Sequence, residues 1–192
     1  MRLGHEKALE KIDEQSLIER TLGCLSPVSQ RVLVVTSQAQ FGLIAARVKG
    51  KIIVDLCPGK GVLGGLYTGL ANSGTFYNLV VGCDMPFLNR DLLRYLIGLA
   101  PNFDVVIPKI DGMTEPLHAV YSKKCLASIE QLLHEGKLAI SQLFSLVRTR
   151  YVGEAEITKF DSKHLSFFNI NSQDDLRKAK MLMKQGASSS SW

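Results

Sequence analysis

Short β-branched apolar runs alternate along the chain with longer amphipathic stretches. The continuous apolar runs predict strands covered on both faces, and they lie at residues 31–36, 51–55, 77–81, 104–108 and 117–122. The amphipathic stretches predict helices at residues 16–25, 38–48, 63–71, 91–99, 123–134, 139–147 and 172–184. A short strand at 150–152 and an extended segment at 167–170 complete the pattern. Because helices of roughly ten residues separate the strands, we predict an α/β fold with a mainly parallel sheet.

The length of the chain and its end signals set the expected domain organisation. A chain of 192 residues fits one domain, which we place at residues 1–186. Ser172 and Asp175 have the spacing of a capping box, which marks the start of the last helix. The polar, low-complexity tail at residues 187–192 is predicted to be disordered.

Composition and charge exclude several classes of protein. The net charge of +5 comes from scattered Lys and Arg residues, which predict either a solvated basic surface or a weak field that recruits small anions. No nucleic-acid recognition motif is present, so we expect no nucleic acid partner. We expect no membrane partner either, since the apolar runs are short and the first residues are charged. The four separated cysteines give no zinc motif and favour the reducing cytoplasm.

Acidic residues follow two of the predicted strands. Ligands of such sheets bind beyond the carboxyl ends of the strands, which points to Asp55, Asp84 and the segment 115–118. In the segment GCDMPF at residues 82–87 a buried strand runs almost directly into Asp84, and Pro86 then ends the sheet. An aspartate placed there suits Mg²⁺ with water and phosphate oxygens. Capping of the following turn is the equally good alternative for Asp84.

Two further segments suit phosphate groups, although each is a weak signal alone. In GKGVLGGL at residues 59–66, glycines would let the backbone approach a ligand in front of a helix N-terminus, but most such segments are only turns. In RLGHEK at residues 2–7, Arg2 and Lys7 flank Gly4 and could hold a polyphosphate.

In combination the segments resemble the molybdenum cofactor guanylyltransferase family. The segments occur in the order RLGxxK, a strand ending in Asp55, GKGVLGGL, GCDMPFL, EPLHAVY and FNINSQDDL. The resemblance extends from Arg2 to about Lys184, and the pairing of GxLGGL with DMPFL is its specific part. It implies a Rossmann-like, three-layer nucleotidyltransferase fold.

The resemblance also implies roles for the matching residues. Arg2, Gly4 and Lys7 would bind the triphosphate, with Lys7 also catalytic, while Asp55, Gly64 and Gly65 would lie at the nucleotide. Asp84 would be catalytic and the ligand of Mg²⁺. Three residues would lie toward molybdopterin: His118, Asn169 and Asn171. For His118 a hydrogen-bonded core position, and for the asparagines a turn and a helix entry, are equally good alternatives.

The implied reaction is the transfer of GMP from GTP to molybdopterin, with release of pyrophosphate. Cofactor-accepting enzymes or chaperones are the implied protein partners. Two alternatives stay open. One is a related transferase that uses CTP or another acceptor phosphate, and the other is a truncated, non-catalytic nucleotide-binding homologue.

The start of the chain departs from the family pattern. The family opens with a strand and LAGGxSxRMGxxK, of which this sequence has only the end, at Arg2, Gly4 and Lys7. Because the first strand of a doubly wound sheet is central, we expect its neighbours to have unpaired backbone groups. The natural protein would then begin earlier than Met1, or another strand or a partner chain would fill the gap.

Overall fold

The computed structural model describes residues 7–188. The strands are β1 (Lys11–Ile12), β2 (Gln15–Ser16), β3 (Leu33–Thr36), β4 (Lys51–Val54), β5 (Tyr77–Val81), β6 (Val105–Ile110), β7 (Met113–Thr114), β8 (His118–Ser122) and β9 (Thr149–Gly153). The helices are α1 (Leu17–Leu25), α2 (Gln38–Ala45), α3 (Gly61–Asn72), α4 (Arg90–Leu99), α5 (Cys125–His134), α6 (Glu154–Ile157) and α7 (Gln173–Ser188). Within the described range, no helix has both the length and the apolar character of a membrane span.

The predicted capping box at the last helix is confirmed. The backbone N–H of Asp175 donates to Ser172 Oγ at 3.2 Å, and the N–H of Ser172 donates to Asp175 Oδ2 at 2.9 Å. The same arrangement at Ser16 and Glu19 starts α1. Reciprocal bonds of this kind satisfy backbone donors that a helix start leaves free. Helix α7 extends to Ser188, and residues 189–192 of the predicted tail lie outside the described residues.

Two predicted elements have a different conformation. The segment predicted as a helix at 139–147 forms a 3₁₀ helix at Ile140–Ser145, as short helical pieces often do. The segment predicted as extended at 167–170 begins within a 3₁₀ turn at Leu165–Phe167. The Asp161 carboxylate explains that turn, because it accepts bonds from the backbone N–H groups of Leu165 and Ser166.

The larger sheet has five strands and is mixed. Its order is β5-β8-β6, with β7 and β9 also paired to β6. Strands β5, β6 and β9 point in one direction, and β8 runs against its two neighbours. The reversal follows from the short connection, since a parallel return to the sheet needs a crossover of about a dozen residues or more. Asp111 and Gly112, both with positive φ, make the turn instead.

Helices cover both faces of this sheet, which gives the predicted three layers. On one face the residues of α3 and α5 pack against alternate strand residues, among them Val105 and Tyr121. On the other face α4 and α6 pack against the intervening positions, Val106, Val120 and Val152. The alternation of neighbouring residues between the two cores is the period expected of a strand.

Strands β3 and β4 form a separate parallel pair. Helix α3 connects this pair with the larger sheet, because Gly69 approaches Val35 of β3 while Leu63 and Leu66 belong to the core of the larger sheet. Among the described residues β3 pairs with β4 alone, and β5 pairs with β8 alone. Each of β3 and β5 therefore has one edge that no described strand covers.

Candidate active site

Asp84 lies just beyond the end of β5, where the chain leaves the sheet. The backbone N–H of Gly82 donates to the carbonyl of Leu117 at 2.9 Å, so the contact with the β8 side continues past Val81. The carbonyl of Asp84 accepts a bond from the N–H of Ile170 at 3.0 Å. These two bonds hold the segment 82–84 between two neighbouring parts of the chain, and the Asp84 side chain remains partly exposed.

The Lys7 ammonium group joins the side chains of Asp84 and Asn171. Lys7 Nζ lies 2.7 Å from Asp84 Oδ2 and 2.7 Å from Asn171 Oδ1. The three residues come from distant parts of the sequence, since Lys7 is separated from Asp84 by 77 positions and from Asn171 by 164. The fold thus brings together one residue each from the RLGHEK, GCDMPF and FNIN segments at one end of β5.

The loop before α7 presents its two asparagines differently. Asn171 Oδ1 reaches Lys7, while the Asn171 backbone N–H donates to Asp175 Oδ2 in the cap of α7. Asn169 Nδ2 instead donates to the carbonyl of Phe167 at 3.3 Å, within its own loop. Asn171 therefore belongs to the group around Lys7, and Asn169 stabilises the loop that carries Asn171.

His118 lies in the core beneath this loop. It is 0% exposed, and its ring stacks on Phe167 with 4.7 Å between the centroids. Neither ring nitrogen has a hydrogen-bond partner, and burial lowers the pKa of the imidazole to about 4. The side chain is therefore neutral at pH 7, and it supports Phe167 from below rather than facing open solvent. The alternative of a hydrogen-bonded core histidine is correct about the core and wrong about the hydrogen bond.

Asp55 lies at the end of β4 and is engaged by its own surroundings. Its Oδ1 accepts bonds from the hydroxyl of Thr68 at 2.8 Å and from the backbone N–H of Cys57 at 3.0 Å. Thr68 is a fully buried residue of α3. Asp55 thus ties the turn at Cys57 to α3, and its bonds do not reach Lys7 or Asp84.

The glycines of this segment are needed for different reasons. Gly59 and Gly61 have positive φ values of 78° and 60°, which residues with a side chain rarely adopt. A Cβ on Gly64 would lie 2.7 Å from the carbonyl oxygen of Cys57, so Gly64 permits close packing of α3 on the preceding turn. A Cβ on Gly65 would meet no atom within 4 Å. Arg2 and Gly4 lie outside the described residues.

A known family matches most of the chain that forms this site. The MobA-like NTP transferase domain matches residues 1–150 of the chain. The chain belongs to the MobA-like NTP transferases.

Relatives of this transferase cover nearly the whole chain. It is 33% identical over 191 residues to a probable molybdenum cofactor guanylyltransferase of Pelotomaculum thermopropionicum, covering 100% of this chain and 92% of that protein. It is 34% identical to the molybdenum cofactor guanylyltransferase of Desulfosudis oleivorans, covering 95% and 90%. These matches extend the family assignment beyond residue 150 to the loop that carries Asn171.

Solved structures agree with the fold of the transferase. Molybdopterin-guanine dinucleotide biosynthesis protein A from Archaeoglobus fulgidus matches with a TM-score of 0.83 and 30% identity, over 94% of this chain and 91% of that one. The 2-C-methyl-D-erythritol 4-phosphate cytidylyltransferase of Thermus thermophilus matches with a TM-score of 0.72 at 16% identity, over 96% and 100%. The second likeness concerns the fold alone, and both confirm the predicted Rossmann-like nucleotidyltransferase architecture.

The oxygen atoms around Lys7 are of the kind that a divalent cation would use. Asp84 and Asn171 each direct one oxygen at the same ammonium group, which shows that this point of the transferase suits a positive charge. Within residues 7–188, no group of three or more His, Cys, Asp or Glu side chains forms a metal site by itself. One carboxylate and one amide oxygen fit a hard divalent cation that completes its shell with water and substrate phosphates.

Glu115 is a further carboxylate near the site of the transferase, and it begins the segment 115–118 that the sequence placed at this edge without giving Glu115 a role of its own. Burial raises the pKa of Glu115, and the negative charge of Asp84 raises it further. The backbone carbonyl of Glu115 accepts from the N–H of His118 at 3.0 Å, in the turn that precedes β8. The available signal was its position before Pro116 and β8, at the same sheet edge as Asp84.

Proposed function

We propose that this transferase moves GMP from GTP to molybdopterin, which produces molybdopterin guanine dinucleotide and pyrophosphate. The observation that carries the proposal is the meeting of Lys7, Asp84 and Asn171 at the end of β5. The names of its relatives at 33% and 34% identity support the choice of substrates.

The chemistry requires positioning and charge neutralisation more than proton transfer. An oxygen of the terminal phosphate of molybdopterin attacks the α-phosphorus of GTP. The bond from that phosphorus to the bridging oxygen of the β-phosphate breaks, and pyrophosphate leaves with the electron pair. The nucleophile is already anionic, so no strong general base is needed. Lys7 would neutralise part of the charge that builds on the phosphate oxygens during this step.

Mg²⁺ is the proposed cofactor, with Asp84 as its direct ligand and Asn171 beside it. When bound, the ion would supply charge neutralisation and orientation for the phosphates of the nucleotide. A cation bound there would neutralise the Asp84 carboxylate and leave Lys7 free to contact the phosphates. Glu115 adds negative charge to the same edge, which increases the attraction for a divalent ion.

The resemblance to the family assigns the remaining residues. Asp55, Gly64 and Gly65 would shape the nucleotide side, with Arg2 and Gly4 on the triphosphate. Asn169 and His118 would act on the molybdopterin side through the loop that presents Asn171. Cofactor-accepting enzymes or chaperones stay predicted partners. Cytoplasmic location stays a prediction too, and it is supported by the four free thiols.

Nucleotide binding without turnover is the second candidate. It is favoured by the edges of β3 and β5 that no strand within residues 7–188 covers, because the neighbouring phosphate-binding segment needs rigid support for catalysis. The test is incubation of the purified protein with molybdopterin and each of GTP, CTP, ATP and UTP. We expect pyrophosphate and the dinucleotide product with GTP alone. Product with CTP would show that CTP is a substrate. Tight GTP binding without product would establish the second candidate.

A further inference from the structure

Gly82 lies directly beneath the Asp84 carboxylate. A methyl group added to Gly82 would lie 2.5 Å from Asp84 Oδ1, whereas its distances to Asp84 Cγ and Leu117 Cβ would be 3.7 Å and 3.6 Å. The last two distances are ordinary van der Waals contacts. The space that a side chain at position 82 would need is therefore taken by one oxygen atom of Asp84.

This contact determines which way the carboxylate faces. Asp84 Oδ1 folds back over the α-carbon of Gly82, and Oδ2 turns toward Lys7. If the space over Gly82 were filled, the carboxylate would have to rotate away from its present orientation. Oδ2 could then not keep its 2.7 Å distance to Lys7 while the backbone remains in place.

The backbone at Gly82 places no demand on glycine. Its φ lies outside the left-handed region, so an alanine can adopt the same conformation. The obstructing atom is the end of a side chain, which can move. Gly64 differs in this respect, because a methyl group there would meet the backbone carbonyl of Cys57 at 2.7 Å. A substitution at position 82 should therefore disturb the site, whereas one at position 64 should disturb the fold.

We propose that Gly82 is a positioning residue, which acts by leaving room for the Asp84 carboxylate to face Lys7 and the bound cation. The inference rests on the proposed role of Asp84 in transfer. It adds a specific requirement for a glycine two residues before the acidic ligand. Gly82 and Asp84 thus act together, because the glycine leaves the space that the carboxylate occupies.

The test compares Gly82→Ala with Gly98→Ala, Gly64→Ala and Asp84→Asn. Gly98 is an exposed residue of α4 with no atom near its missing side chain, so it is the matched control. For Gly82→Ala we expect kcat for GMP transfer to fall on the order of tenfold or more, with a smaller change in KM for GTP. The affinity for Mn²⁺ in the presence of GTP, measured by electron paramagnetic resonance, should fall several-fold. The Tm of Gly82→Ala should stay near that of the unaltered protein, while Gly64→Ala should melt lower and Gly98→Ala, at an exposed position inside a helix, no lower.

The double variant of Gly82→Ala and Asp84→Asn distinguishes action through Asp84 from an independent effect. We expect it to be no slower than Asp84→Asn alone, because the orientation of a missing carboxylate cannot matter. Full turnover and Mn²⁺ affinity in Gly82→Ala, with both lost in Asp84→Asn, would overturn this inference and leave the proposed function standing. A Tm for Gly82→Ala as low as that of Gly64→Ala would also overturn it. Full activity in Asp84→Asn would instead refute the proposed role of Asp84, and this inference with it.

Discussion

The strand pair β3–β4 and the centre of the five-stranded sheet have similarly apolar sequences but very different burial. All five residues of β8 and the first four of β6 are buried, whereas none in β3, β4 or β5 is buried to that degree. Helices cover the faces in both regions, since α3 contacts β3 as well as the larger sheet. The difference lies at the edges of β3 and β5, which no described strand covers. An apolar run therefore specifies a strand, and the neighbours of that strand decide how deeply it is buried.

The candidate site lies at the border between these two regions. Asp84 follows β5, one edge of which no described strand covers, and the loop with Asn171 is bonded to the Asp84 backbone through Ile170. Substitutions at the centre of the five-stranded sheet should therefore affect stability, and substitutions at the end of β5, where the site lies, should affect turnover. The following predictions test that division.

The largest expected effect is on turnover. Asp84→Ala should lower GMP transfer on the order of 10²-fold or more, because it removes a metal ligand and the partner of Lys7. Its side chain is partly exposed and fills no core, so the far-ultraviolet circular dichroism and Tm should stay near those of the unaltered chain. A loss of the circular dichroism signal in this variant would show that the fold needs Asp84, as it needs the buried residues at the centre of the five-stranded sheet.

The second effect is a pH dependence at His118, in the first position of β8. Burial lowers its pKa from 6.5 to about 4, so between these values the unfolded chain takes up a proton that the folded chain does not. The stability present above pH 6.5 should therefore decrease as the pH falls toward 4, by about 3 kcal/mol from this group.

His118→Phe is the variant for this measurement. It keeps an aromatic ring against Phe167 and has no titrating group, so its unfolding free energy should lose this part of the acid dependence. Urea unfolding of both proteins across this pH range gives the two curves. Parallel curves would show that His118 is protonated equally in the folded and unfolded states.

A matched pair of substitutions measures the contrast in burial. Val105 of β6 is 0% exposed, whereas Val35 of β3 is half-buried, and both lie on the α3 side of their sheets. Val105→Ala should cost about 2 kcal/mol of unfolding free energy and Val35→Ala about 1 kcal/mol. Denaturant unfolding supplies both values. Equal losses of unfolding free energy in the two variants would mean that β3 is packed as tightly as β6, although no described strand covers one edge of β3.

The smallest effect is on nucleotide affinity. Lys7→Ala should weaken GTP binding by roughly tenfold and reduce its dependence on salt, because one cation no longer attracts the phosphates. Titration calorimetry over a series of NaCl concentrations measures both quantities. Lys11, which is exposed in β1, offers a matched control as Lys11→Ala. An affinity unchanged at every salt concentration would remove Lys7 from the site.

The sequence predicted most of the elements and the sheet edge at which the site lies. Apolar runs located β3 to β6 and β8 close to their observed positions, since a strand buried between helices needs such a run whatever its partners are. The pairing of the strands was harder to predict, because the spacing of apolar residues does not determine which strand edges pair.

The site was predictable where a residue's role depends on its place at a strand end. Asp84 was found in this way, whereas its contact with Lys7, 77 positions away, and the contact of Lys7 with Asn171, 164 positions away, required the fold. Asp55 follows its strand as expected, but a buried hydroxyl on α3 binds it, and Thr68 gave no signal of this in the sequence. Gly82 was overlooked for a related reason, since the space over an α-carbon becomes visible only when its neighbours are placed.

The central claim is that a nucleotide and its cation bind at the end of β5, between Lys7, Asp84 and Asn171. Paramagnetic broadening by Mn²⁺ with GTP, observed in amide spectra of the ¹⁵N-labelled protein, tests it directly. We expect the signals of residues 82–84 and 170–171 to broaden first, while those of α5 stay sharp, and Asp84→Asn to abolish the pattern. Broadening centred elsewhere, such as the groove between Arg20 and Arg90 beside α4, with the signals at the end of β5 unchanged, would contradict the account.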